Sequence, residues 1–84
     1  MRLRRYWFSF AGAVDPLRLG CGLSAYDRED AFRLLRERVF KTEPIPVPSN
    51  VVEDIDVSGL DPDHVLPNIG NVTIRGVWFP KGLF

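Results

Sequence analysis

The chain has 84 residues, 45% of them apolar and 26% charged, with 11 Lys plus Arg set against 11 Asp plus Glu. That length gives one domain near the lower limit for an unstapled core, and the even charge balance excludes a long-range field toward nucleic acid or an anionic membrane. The single cysteine, Cys21, excludes an internal disulfide and a four-cysteine zinc site, and so small a chain without a disulfide points to a reducing, cytoplasmic setting.

At the N-terminus Arg2, Arg4 and Arg5 precede an apolar stretch, but Ser9 and Gly12 interrupt it and its rings are aromatic, unlike a secretion signal. No run reaches the roughly 20 apolar residues of a membrane span. Residues 3–10 instead predict a first strand. Tyr6, Phe8 and Phe10 share one face and Arg5, Trp7 and Ser9 the other, which suits a central strand covered on both sides. Asp15-Pro16 marks the turn into a second strand over 20–26. Asp27 then caps a helix over 28–40, since its side chain can accept from the free amides of the first turn. Asp30 adds negative charge at the positive end of the helix dipole. Ala31, Phe32, Leu35 and Val39 form the apolar stripe of that helix.

Pro44, Pro46 and Pro48 preclude helix and central strand, so this stretch predicts an extended crossover. A third strand is expected over 51–57, a turn-rich link over 58–71, and a fourth strand over 72–79. In that fourth strand Val72, Ile74 and Trp78 are expected on one face, with Thr73, Arg75, Val77 and Phe79 on the other.

The order strand, strand, helix, strand, strand resembles the β-grasp of ubiquitin-like proteins. That resemblance implies a single α+β domain with a four-stranded mixed sheet. The first and last strands would pair in parallel at its centre, and the helix would lie across one face over Tyr6, Phe8 and Ile74. The ending Lys81-Gly82-Leu83-Phe84 lacks the paired glycines of conjugated modifiers, so conjugation is not implied. A second resemblance rests on Arg5-Tyr6-Trp7-Phe8, Gly20-Cys21-Gly22, Ala25-Tyr26-Asp27, Asp54-Ile55-Asp56-Val57 and Arg75-Gly76-Val77-Trp78-Phe79-Pro80. These segments look like those of a group of short bacterial proteins without a known activity. This resemblance implies a bacterial origin and nothing about chemistry.

Three constellations could carry function. Glu53, Asp54, Asp56, Asp61, Asp63 and His64 are oxygen and nitrogen donors of the kind hard cations use, but they match no EF-hand spacing, and no metal is expected. Cys21 and His64 could supply a thiol and its base, but a cysteine beside Leu23 and Ala25 reads as a small core residue, so no catalytic residue is expected. Gly20 and Gly22 lack phosphate-loop spacing, and no cofactor is implied. The third constellation is the sheet face away from the helix, where Arg5, Trp7, Arg75, Val77 and Phe79 would form an interaction face. Trp and Arg are enriched in interface hot spots. The leading expectation is therefore a small non-enzymatic module binding a protein partner or itself, of the immunity or antitoxin type. A small enzyme or metal-binding protein using the 53–64 segment is the alternative. Single-strand nucleic-acid binding is a further one, opposed by the neutral charge and by Asp54 and Asp56 on that face.

Overall fold

The alternation of the first strand determines the architecture, because large rings leave it on both sides. In a computed structural model describing residues 2–14 and 17–82, β1 spans Arg4–Ser9, β2 Cys21–Ala25, β3 Asn50–Glu53 and β4 Gly76–Phe79. The strands form one sheet in the order β3-β1-β2-β4, and every pairing is antiparallel. The Asp15-Pro16 turn lies outside the described residues.

The helix begins as expected. Asp27, with an extended backbone, accepts from the Asp30 amide at 2.7 Å and caps α1, Arg28–Leu34. The helix continues as a π-helical stretch, Leu35–Phe40, which ends where Lys41 takes a φ of 49°. Ala31, Leu34 and Leu35 are fully buried against Tyr6, Phe8, Phe10, Cys21, Leu23 and Ala25, forming the first core. Phe32 meets Phe8 edge-on with ring centroids 5.3 Å apart, and Phe40 meets Phe10 in the same way at 5.4 Å. Tyr6 carries a buried hydroxyl with no partner among the described residues, and that burial raises its pKa.

The domain is thus small and α+β, with one helix on a four-stranded sheet. Its pairing differs from the β-grasp expectation. β1 and β4 are not neighbours: β2 lies between them, and the sheet is antiparallel rather than mixed. The reason lies in the connections. The 11–19 loop is short enough to close β1 and β2 as a hairpin, which occupies one side of β1. β2 and β3 both run antiparallel to β1, so the helix carries the chain over β1 and delivers β3 to its other side. β4 is then left with the free edge of β2.

The third and fourth strands are shorter than the sequence suggests. β3 stops at Glu53 because Asp54 adopts a φ of 56°, a left-handed conformation that Asp tolerates better than most residues. Asp56 then caps a 3₁₀ turn over Val57–Gly59 by accepting from the Ser58 amide. Before β4, Asn71 accepts from the amide and hydroxyl of Thr73 and holds a turn where a strand start was expected. Ile74 consequently lies 60% exposed instead of under the helix.

The connection from β3 to β4 must cross from one edge of the sheet to the other. It does so over the face opposite the helix. Val52, Ile55, Val57, Leu60, Val65, Ile69 and Val72 pack there on Trp7, Trp78 and Phe79, forming a second core. The Trp7 ring lies 5.4 Å from Phe79 and 6.1 Å from Trp78, centroid to centroid. Ser24, fully buried, ties the layer down: its hydroxyl accepts from the Trp78 indole at 3.1 Å and donates to the Val72 carbonyl at 2.7 Å.

One ion pair fixes the start of β4 to the helix. Asp30, with a side chain only 8% exposed, receives two hydrogen bonds from the Arg75 guanidinium at 2.6 and 2.9 Å and one from the Tyr26 amide at 3.1 Å. The Arg75 bonds, against the opposing effect of burial, hold the Asp30 carboxyl below its ordinary 3.8, at about 2. A depressed carboxylate stabilises the fold fully above its ordinary value, and that contribution is lost as pH falls through the folded value. Asp30→Asn is therefore expected to cost about 2 kcal/mol at neutral pH. It should also flatten the loss of stability of the wild type between about pH 4 and pH 2, as read by urea titrations across that range. An unchanged acid slope in the variant would assign the acid sensitivity to other carboxylates.

Candidate functional site

The five residues expected to share an open face do not share one. Trp7 and Phe79 are 8% and 3% exposed beneath the β3–β4 connection. Val77 lies on the other side of the sheet, packed against the first core. Arg75 reaches Asp30. Arg5 alone is exposed on the second side, where its Nε donates to the Ile55 carbonyl at 3.3 Å. A β-bulge explains the sorting. Gly22 pairs with Phe79 and Leu23 with Val77, so Trp78 is the extra residue, and Trp78 and Phe79 both join the second core. Buried in this way, the rings of Trp7 and Phe79 offer no platform on which a nucleic-acid base could stack.

The acidic segment is dispersed. Asp54 receives both arms of the Arg4 guanidinium at 2.6 and 3.0 Å, which lowers the carboxyl pKa and raises that of Arg4. Glu53 faces Arg28 at 3.2 Å. Asp61 bonds the amides of Asp63 and His64 and touches His64 Nδ1 at 3.2 Å, a turn arrangement that lowers its pKa. Asp56 is used by Ser58. Among the described residues no three His, Cys, Asp or Glu side chains come together as a ligand set.

Cys21 and His64 are also apart. Cys21 is fully buried in the helix-side core, where burial pushes its thiol up to about 12, while His64 is exposed in the connection on the opposite side of the sheet. A thiol so protonated at neutral pH is a poor nucleophile. Gly20 and Gly22 serve packing. A Cβ on Gly20 would come within 2.6 Å of the Trp7 ring, and one on Gly22 within 2.3 Å of the Trp78 ring.

Beside a polar hollow of about 240 Å³ over Tyr26, Asp27, Glu29, Asp30 and Arg33, two larger concave surfaces lie among the described residues. One is a polar cleft of about 340 Å³ between Arg2, Leu3, Arg4, Arg5 and Asp54, where the Arg4 guanidinium is already bound to Asp54. The other is an apolar groove of about 360 Å³ at the far end of the sheet. Its floor is Phe10 and Phe40, its walls are Ala11, Gly12, Ala13, Val14 and Leu17 from the β1–β2 loop, and Pro46 closes it from the crossover. Val14 is 78% exposed, and Val47, next to Pro46, is 90% exposed. The sequence carries a faint signal for this groove, with Val14 and Leu17 in the first loop and Pro46 in the crossover. What could not be read was that the π-helical stretch brings Phe40, and the crossover brings Pro46, to the hairpin end.

No helix among the described residues is long and apolar enough to cross a membrane. No protein-family model matches the chain, and no curated protein or solved structure matches it either.

Proposed function

We propose that the protein is a small non-enzymatic interaction module whose partner is a protein segment carrying an apolar anchor, seated in the Phe10–Phe40 groove. The observation that supports this reading is a groove whose lining, among the described residues, carries no charged side chain, with Val14 exposed in its wall and Val47 exposed next to Pro46. A volume of about 360 Å³ lies within the range of sites that take a few large side chains. An aromatic floor with aliphatic walls suits an aromatic or branched aliphatic anchor, the usual centre of an interface hot spot. The groove shares no residue with the aromatic-arginine face expected from the sequence, and it has no arginine among its described lining residues.

A displayed peptide library screened against the protein tests this. Enriched peptides are expected to share one aromatic or aliphatic anchor and to shift the NMR signals of residues 10–14, 17, 40 and 46. Val14→Glu and Val47→Glu change exposed side chains, so they should leave stability within about 0.5 kcal/mol. They should weaken peptide binding at least tenfold, as expected for loss of a contact worth about 1.4 kcal/mol. Peptides that shift the Arg2–Arg5 cleft instead, or binding unchanged by both variants, would refute the groove.

A further inference from the structure

A four-stranded sheet has two edges, and this chain treats them differently. Along β4 the Gly70 amide donates to the Trp78 carbonyl at 2.7 Å and the Lys81 amide to the Asn68 carbonyl at 2.8 Å. Residues 68–70 thus run beside the end of β4 and close that edge. Along β3, among the described residues, no backbone hydrogen bond joins Asn50–Glu53 to anything other than β1. An unpaired edge of this sort is a template for another strand.

The exposed edge has defined ends. Pro48 has no N–H to donate, and Pro46 and Pro44 before it extend the block. At the other end Asp54, with its φ of 56°, turns the chain out of the extended conformation, and Arg4 holds it there. What remains is Ser49 to Glu53, with Val51 at its centre.

That centre also selects a register. Two copies pairing edge to edge antiparallel are related by a two-fold axis perpendicular to the sheet, so opposed residues must belong to the same face. Val51 packs on the helix-side core and Glu53 contacts Arg28 from the same side, whereas Val52 belongs to the second core. Pairing about Val51 satisfies this rule over the whole segment. Val51 opposes Val51 of the second copy, Asn50 opposes Val52, and Ser49 opposes Glu53. The two valines, half-buried in the single chain, gain an apolar cross-strand contact, and no like charges face each other. We infer that β3 is a self-association edge through which two copies of this chain join into one continuous antiparallel sheet. This inference does not depend on the groove reading.

Sedimentation equilibrium on the wild type, Ser49→Lys and Ser49→Asp tests it. Ser49 is exposed, and both variants lose the same hydroxyl bond to the Ser9 carbonyl, so their difference isolates charge. Within one chain Ser49 and Glu53 are four extended residues apart, about 13 Å, beyond the roughly 8 Å screening length at physiological salt. Across the dimer they are directly opposed, twice by symmetry. The wild type is expected to dimerise with rising concentration, with Ser49→Lys tightening and Ser49→Asp loosening the dimer, their dissociation constants differing roughly tenfold. A wild type that stays monomeric up to millimolar concentration, or equal constants for the two variants, would overturn the inference. Val51→Cys gives a second readout, because opposed Cα atoms about 5 Å apart lie within disulfide reach. Mild oxidation should yield a covalent dimer from the folded variant and none from wild type, whose only thiol is buried. A folded, dimeric Val51→Cys protein that forms no such bond would place the contact elsewhere.

Discussion

Trp7→Ala is expected to remove about 3 to 5 kcal/mol of stability, the usual cost of deleting a large buried aromatic. For a domain of this size that is most or all of the folding free energy. The ring is 8% exposed and touches Trp78, Phe79 and the underside of the β3–β4 connection, so its loss opens a void that no single neighbour can fill. Urea denaturation followed by circular dichroism measures the effect. Arg5→Ala, its exposed neighbour in the same strand, is the control and should change stability by no more than about 0.5 kcal/mol. A Trp7→Ala protein within about 1 kcal/mol of wild type would mean that the connection does not pack on the sheet. The second face would then be available for binding after all.

The contrast between the two sides of the sheet shows what the sequence made legible. The helix side could be read from local rules: Asp27 as a cap, a 3.6-residue stripe through Ala31 and Leu35, and a two-residue alternation through Tyr6, Phe8 and Phe10. Each is a short-range pattern, and each survives in the structure. The other side obeys no period. Leu60, Val65 and Ile69 are spaced irregularly among prolines, glycines and aspartates, so they resemble a surface link. Their burial follows from topology, because a chain leaving one edge strand for the other has to cross a face. Strand order itself was illegible for the same reason. It depends on which edge is free when β4 arrives, not on anything within residues 76–79. The candidate binding face failed with it: a bulge at Trp78 reversed the facing of Phe79 relative to Val77, and alternation alone carries no sign of a bulge. The apolar groove was hidden one level further, since its lining comes from three separate segments.

Gly22→Ala is expected to be a severely damaging single-methyl change. Gly22 lies within β2, a position where alanine would ordinarily fit a strand better than glycine does. Here the added carbon would meet the Trp78 ring at 2.3 Å, with two further ring atoms within 2.7 Å, far inside van der Waals contact. The ring has no simple retreat. Its indole nitrogen is bonded to Ser24, and its other side is closed by the second core. The expected cost is about 3 kcal/mol, the upper part of the usual range for overpacking. Because the cause is one ring, the damage should depend on that ring. Trp78→Leu alone should also destabilise, by loss of burial and of the Ser24 bond, but adding Gly22→Ala to it should cost no more than about 1 kcal/mol further. A favourable coupling of about 2 kcal/mol in that double-mutant cycle would locate the conflict at the Gly22–Trp78 contact. Strict additivity would show instead that the alanine acts on the strand backbone, and that the paired glycines flanking Cys21 have some role other than admitting the two tryptophans.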